Sequence, residues 1–195
     1  MVIAYHVIFT AYGFWLPNDP RGSWSDFVRS WELYRFGPST PTHSRRSVAC
    51  ASHDSNERLS AKTALKYSSV SFTGRQCLSI ANGFKDAIRR SQFTIHACAI
   101  LPEHVHIVLA RHRYAIEKVR DQLKGQASKS LRADGLHPFA CESIAGKPHS
   151  PWSDGGWDVY LNSTADIRRA IQYVNDNPVR EGKPRQTWSV VTPLV

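Results

Sequence analysis

Several features that would place this chain in a specialised class are missing from its sequence. The four cysteines stand singly, without C-x-x-C spacing, so neither a zinc knuckle nor a disulfide framework is indicated and a reduced setting is expected. No apolar stretch is long enough to span a bilayer, and the first residues lack the basic region and long apolar run of a signal peptide. The sequence therefore predicts a cytoplasmic protein with no membrane contact.

Acidic residues are scarce relative to basic ones, and this is the strongest bias in the composition. The chain has 16 Asp and Glu against 25 Lys and Arg, for a formal net charge of +9 and a pI near 9.7. Lys and Arg bind polyanions by displacing counterions from phosphates. A partner that carries phosphates is therefore expected, and a merely basic protein is the plainer alternative.

The hydrophobic pattern predicts strands and helices in alternation. Strands are expected at 2–10, 93–101, 104–109 and 157–161, and helices at about 74–91, from 116 to Asp134-Gly135, and from Ser163 to about Asn177. The last helix should end near Asn177, because the residue before Pro178 avoids the helical region. Its start is marked by Ser163 and Asp166, which form a capping-box pattern.

Between residues 11 and 66 this periodicity dissolves, so the sequence predicts a long irregular insertion within a single domain (1–195). Loops of this length are often functional. The aromatic and basic side chains of the insertion, among them Trp15, Arg21 and Trp24, could stack on bases and pair with phosphates. A small satellite core is the other interpretation, and it is favoured for the tryptophans.

His104 and His106 are two residues apart on a predicted strand, so both project to one face of the sheet. Two imidazoles on one face can bind a divalent metal, although a half-buried strand that carries two histidines is the simpler interpretation of the motif by itself. A hairpin would place Leu101 opposite His104 and Ala99 opposite His106. The small Ala97 and Ala99 would then leave open space for a metal-bound phosphate.

Tyr173 and Asn177 are four residues apart on the last predicted helix, so they share one of its faces. The amide oxygen of Asn is a hard ligand that suits Mg²⁺ or Mn²⁺, and the Tyr oxygen is a nucleophile once it is deprotonated or polarised. Together with the two histidines, these residues suggest metal-assisted phosphoryl transfer. The alternative for Tyr173 is an ordinary half-buried tyrosine on an amphipathic helix.

The segment Leu101-Pro-Glu-His-Val-His106, with Tyr173-Val-Asn-Asp-Asn-Pro-Val-Arg180 downstream, resembles the single-tyrosine HUH transposases, and most of all the REP-associated tyrosine transposases of bacteria. The resemblance covers the first strand and most of the chain from about 66 to 188, including the segment Pro151-Trp-Ser-Asp-Gly-Gly-Trp157. It implies an α+β fold of the HUH endonuclease type, with a ferredoxin-like (RRM-like) antiparallel β-sheet and packed α-helices.

The resemblance also implies an activity: metal-dependent cleavage and strand transfer of single-stranded DNA near hairpins. Tyr173 would be the nucleophile of a 5′-phosphotyrosine link, and His104, His106 and Asn177 would bind Mg²⁺ or Mn²⁺. The expected partner is single-stranded or hairpin DNA in a bacterial, nucleoid-associated setting, and the protein would be a monomer or a homodimer.

The second long helix carries Lys124, Lys129 and Arg132 away from the centre of its apolar stripe, so part of its surface should be basic. With Arg21 in the insertion and Arg180 at the end of the tyrosine motif, these are the candidate DNA-contacting cations.

The chain departs from the family pattern in the 11–62 segment, which puts substrate choice in question, and at 154–156, which is less basic than expected beside DNA. Two other functions are considered. One is a catalytically silent nucleic-acid-binding module. The other is a zinc hydrolase that uses the two histidines and Cys98, although Cys98 should point to the opposite face in the expected hairpin register.

Overall fold

Four short segments of alternating side chains form a β-sheet in a computed structural model, which describes residues 1–16, 31–37, 54–142 and 148–194. The strands are β1 (Ala4–Thr10), β2 (Ile95–Ile100), β3 (His104–Ala110) and β4 (Trp157–Leu161), in the order β2-β3-β1-β4. All three pairings of neighbouring strands are antiparallel.

The helices in the described part of the chain are α1 (Trp31–Tyr34), α2 (Ser55–Thr63), α3 (Gly74–Ser91), α4 (Ile116–Ala133) and α5 (Thr164–Arg180). Of these, α3, α4 and α5 pack on the sheet. The crossovers through α3 and α4 give the β-α-β-β-α-β order of a ferredoxin-like domain, so the predicted α+β class is confirmed. Within the described residues, no helix has the length and apolar composition needed to cross a membrane.

The pair α3 and α4 packs on the sheet face that carries Phe9. A Cβ added to Gly83 would lie 2.6 Å from the Cα of Ala127, so the backbones of the two helices approach closely at this point. Phe84 of α3 meets the ring of Phe9 with centroids 6.2 Å apart. The apolar stripe predicted for α4 is buried, and it consists of Ile116, Val119, Leu123, Ala127 and Leu131.

The opposite face of the sheet is covered by α5. Ala170 and Val174 of this helix join Ala97, Ala99 and Val108 of the sheet in one buried apolar cluster. The expectation that the two strand alanines leave open space is therefore wrong, because both are 0% exposed. Their small side chains instead let α5 approach the sheet closely, and this brings the polar residues of the helix to the histidine face.

Residues 12–70 form a second compact unit, of which the structure describes a part. The sequence predicts an irregular backbone here, but part of this unit is helical. Helix α2 begins at the cap residue Asp54, whose side chain accepts hydrogen bonds from the N–H groups of Asn56 and Glu57. A small apolar cluster is present in this unit, and its buried members are Leu16, Leu33 and Ala61. Trp24 lies outside the described residues.

Candidate active site

β3 presents His104 and His106 on the sheet face that α5 covers. Thr10 is the β1 partner of His104, while Ile8 and Ala99 flank His106 from the two neighbouring strands, so the predicted pairing of Ala99 with His106 is confirmed. The two imidazole centroids are 5.0 Å apart. His106 is buried at 5% exposure, and His104 is partly exposed. The two-residue spacing thus places both imidazoles next to each other on one face of the sheet.

α5 carries Tyr173 and Asn177 to the same point. The side-chain Nδ2 of Asn177 is 3.4 Å from Nε2 of His106, and the ring centroid of Tyr173 is 5.6 Å from that of His106. Val174, between them in sequence, anchors the helix in the apolar cluster. Asn177 is buried, whereas Tyr173 is 41% exposed and can be reached from solvent. The structure therefore brings together Tyr173, Asn177 and the two strand histidines.

His6 is a further residue of this site that the sequence motifs do not include. It lies on β1, and its Nε2 is 3.1 Å from Nδ1 of His106 in a buried contact. Its ring also meets Tyr173, with centroids 5.7 Å apart. In the register of β1 and β3, His6 is paired with Val108, which makes His6 and His106 diagonal neighbours on one face. Only the alternation of His6 against Tyr5 and Val7 signals this face in the sequence.

Burial keeps the imidazoles of His6 and His106 neutral near pH 7. It lowers the pKa of His6 from 6.5 to about 4. The pKa of His106 is lowered well below its usual value, first by burial and then by the neighbouring His104 and His6. A neutral imidazole has one N–H donor and one acceptor nitrogen. In the contact between Nε2 of His6 and Nδ1 of His106, one ring must therefore donate and the other accept.

α5 continues past Pro178, so the prediction that it ends near Asn177 is wrong. The helix ends at Arg180. Proline lacks an N–H and so removes one helical hydrogen bond, but its fixed φ is compatible with the helix. In the turn that follows, the N–H of Glu181 donates to the carbonyls of Asn177 and Pro178 at 3.2 and 3.1 Å, and the N–H of Lys183 donates to Pro178 at 2.8 Å. These bonds close the C-terminus of the helix.

The additional turn adds two charged groups to the site. The guanidinium carbon of Arg180 is 5.2 Å from the ring centroid of Tyr173, within the range of a cation–π contact. An oxygen of Glu181, Oε1, is 3.2 Å from Nε2 of His104. Arg180, one of the predicted DNA-contacting cations, therefore lies beside the tyrosine. Glu181 was not predicted, because the helix was expected to end before it.

Lys124 is not on the exposed basic surface where it was predicted. Its side chain is buried, and its ammonium group donates to the carbonyl of Ser153 at 2.8 Å and to that of Gly155. Trp152 of the same segment also donates through Nε1 to the carbonyl of Lys124. Burial lowers the pKa of Lys124 to about 8. This lysine therefore ties the segment before β4 to α4.

The other predicted cations lie away from the histidines or outside the described residues. Lys129 and Arg132 are exposed on α4. This helix packs on the sheet face that carries Phe9, as shown by the distance of 5.6 Å between the Lys124 ammonium and the centroid of the Phe9 ring. Arg21 falls outside the described residues. The structure thus separates Lys129 and Arg132 from the site of Tyr173.

The donor groups present fit a hard divalent cation. Within the described residues, no group of three His, Cys, Asp or Glu side chains is arranged to hold a metal ion. A third ligand beside His104 and His106 would therefore have to be an amide. Asn177 is in position, since its amide lies against Nε2 of His106. Rotating that amide by half a turn exchanges its nitrogen and oxygen with little change in shape. Neutral imidazole and amide oxygen are both accepted ligands of Mn²⁺.

Cys98 is not available to this site. It is the strand partner of Ile107 and so points to the face of the sheet opposite the histidines, as the expected register predicts. It is also fully buried, and burial raises the pKa of its thiol. A cysteine binds zinc only as the thiolate, so the zinc hydrolase alternative loses its third ligand.

No protein-family model and no curated protein matches the sequence. Similar solved structures include two that match over most of their length. A REP-associated tyrosine transposase bound to a REP hairpin has 14% sequence identity and a TM-score of 0.48, with 99% of this chain and 93% of that chain covered. A protein of Deinococcus radiodurans R1 assigned as a transposase has 12% identity and a TM-score of 0.39, with 91% of each chain covered.

Proposed function

We propose that the protein is a metal-dependent endonuclease and strand transferase of the transposase type. Its substrate would be single-stranded DNA near a hairpin, and its intermediate a 5′-phosphotyrosine on Tyr173. The observation that carries the proposal is the meeting of Tyr173 and Asn177 with His106, at 5.6 Å between ring centroids and 3.4 Å between side-chain nitrogens. These residues come from a helix and a strand that are distant in sequence.

Tyr173 is the group that would react with DNA. Its phenol oxygen would form a bond to phosphorus, and the bond from phosphorus to the 3′-oxygen of the preceding nucleotide would break. The phenol loses its proton to solvent and the departing 3′-oxygen takes one up, so no proton is gained or lost overall. The 41% exposure of Tyr173 leaves room for a strand to approach. Reversal of the step with a different 3′-hydroxyl would transfer the strand.

His104, His106 and Asn177 would hold the divalent cation, which when bound neutralises charge on the scissile phosphate. Burial contributes to this role, because it keeps His106 neutral and leaves a nitrogen lone pair for a ligand bond. Arg180, over the ring of Tyr173, would bind a non-bridging oxygen of the scissile phosphate. Together these groups would set a phosphate in line with the phenol.

The test is a cleavage assay on a DNA hairpin with single-stranded flanks, labelled at either end and run on a denaturing gel. With Mg²⁺ or Mn²⁺, the 3′-labelled strand should migrate with the protein, because a 5′-phosphotyrosine retains the downstream fragment. The 5′-labelled strand should give a shorter free product, and EDTA should abolish both products. Retention of the 5′ label would contradict the proposed linkage. Binding of the hairpin without any cleavage would identify a silent nucleic-acid-binding module instead.

A further inference from the structure

The contact between His6 and His106 joins two buried imidazoles across neighbouring strands. His6 is 8% exposed and His106 is 5% exposed, and their facing nitrogens are 3.1 Å apart. A buried polar group without a hydrogen bond destabilises the fold, so an apolar side chain would be the simpler occupant of position 6 if only packing mattered. The partner of His6 is a residue of the proposed reaction centre, and this suggests a role in that centre.

The two ring nitrogens of His106 face different partners. Nε2 faces the side-chain amide of Asn177, 3.4 Å away, and Nδ1 faces Nε2 of His6. The proposed cation would lie on the Asn177 side, and it would need the lone pair of His106 Nε2. A neutral His106 then carries its proton on Nδ1 and donates it to Nε2 of His6.

We propose that His6 is a positioning residue that accepts the Nδ1–H of His106 and thereby fixes the tautomer and orientation of its ring. The inference rests on the proposed function, because it matters only if Nε2 of His106 binds a cation. Residues that accept the second N–H of a metal-binding histidine typically contribute 10- to 100-fold, roughly, to metal affinity. Here the acceptor is a second histidine on the adjacent strand. Its ring also lies 5.7 Å from that of Tyr173.

The tautomer can be observed directly in the wild-type protein. ¹⁵N-labelled histidine side chains distinguish a protonated from an unprotonated ring nitrogen by NMR, and the signal of His106 is identified by its loss in His106→Asn. Without metal at pH 7.5, Nδ1 of His106 should be protonated and Nε2 unprotonated. Protonation on Nε2 would overturn the proposal.

Substitutions at His6 provide a second readout that does not depend on cleavage. The affinity for Mn²⁺ alone, without DNA, is measured by the electron paramagnetic resonance signal of the free ion. His6→Leu removes the acceptor and should weaken binding by about 10- to 100-fold and let the His106 proton distribute over both nitrogens. His6→Gln places an amide oxygen near the former Nε2 position and should restore most of the affinity. His137→Gln, which changes another buried histidine, is the control and should retain wild-type affinity.

These results separate the two proposals. Equal Mn²⁺ affinity in wild type and His6→Leu would overturn the role of His6, while the assignment of Tyr173 would stand. If the wild-type protein bound no Mn²⁺, the metal requirement of the proposed function would fail, and with it the role of His6 in metal binding. The NMR signals of His106 in the wild type and in His6→Leu would then still decide whether His6 sets the tautomer of His106.

Discussion

Tyr173 is the residue whose oxygen the proposed reaction depends on. Its ring lies 5.6 Å from His106 and 5.7 Å from His6 between centroids, so phenylalanine can keep these contacts and lose only the attacking oxygen. Tyr173→Phe should bind hairpin DNA as tightly as the wild type, measured by fluorescence anisotropy, and form no covalent adduct.

The matched control for this substitution is Tyr160→Phe. Tyr160 is 52% exposed on β4, and it lies on the opposite face of the sheet, where its ring meets that of Tyr5 at 5.6 Å. Tyr160→Phe should form the adduct at the wild-type rate. A 5′-linked adduct in Tyr173→Phe would show that another residue is the nucleophile.

His6 should make the stability of the metal-free protein depend on pH. Its pKa is about 4 in the folded protein and 6.5 when unperturbed, so the unfolded chain binds the proton more tightly. The corresponding stabilisation is fully present above pH 6.5 and is lost as the pH falls through 4; it amounts to about 3 kcal/mol. Urea unfolding in EDTA should therefore show a steeper loss of stability below pH 6.5 for the wild type than for His6→Gln. Parallel pH profiles would contradict this assignment.

Among single elements, α5 shows which short-range rules succeed and which fail. The predicted cap at Ser163 is present, because its side chain accepts a hydrogen bond from the N–H of Asp166. The predicted end of α5 was wrong, because the rule that the residue before a proline avoids the helical region is statistical. Hydrogen bonds after Pro178 close the helix one turn later. Glu181 consequently lies at His104, a contact that no spacing in the sequence indicates.

The closeness of α3 and α4 leads to a prediction about two glycines. A Cβ on Gly83 would lie 2.6 Å from Ala127 Cα and 2.7 Å from its nitrogen, and both atoms belong to backbone that cannot move alone. Gly83→Ala should therefore lower the free energy of unfolding by about 1–3 kcal/mol. Gly125 of α4 has nothing within 4 Å of its added Cβ, so Gly125→Ala should raise that free energy by roughly 0.5–1 kcal/mol. Urea unfolding measures both, and equal effects would contradict the packing described.

At the scale of the whole molecule, the order of the strands determines which residues can meet. Strand periodicity predicts that His104 and His106 share a face, and helix periodicity predicts the same of Tyr173 and Asn177. Neither predicts that β1 lies between β3 and β4. His6 could therefore not be assigned to the site from the sequence, because its neighbour on the adjacent strand is 100 residues away in the chain. The burial of Lys124 was missed for the same reason, since its partners belong to the distant segment before β4.

The charge of the whole molecule leads to the last prediction, which concerns the salt dependence of DNA binding. With a net charge of +9, the logarithm of the affinity for single-stranded DNA should fall linearly with the logarithm of salt concentration, with a slope of about 0.7 per phosphate neutralised. Lys129→Ala and Arg132→Ala, which remove exposed cations of α4, should each reduce that slope by about 0.7 if they contact phosphates. Lys124→Met should leave the slope unchanged and lower the melting temperature instead, because its ammonium group is bonded to the carbonyls of Ser153 and Gly155. Anisotropy titrations between roughly 50 and 200 mM salt measure the slopes. An unchanged slope in both α4 variants would show that DNA binds elsewhere, and the exposed Arg180 beside Tyr173 would then be the cation to test.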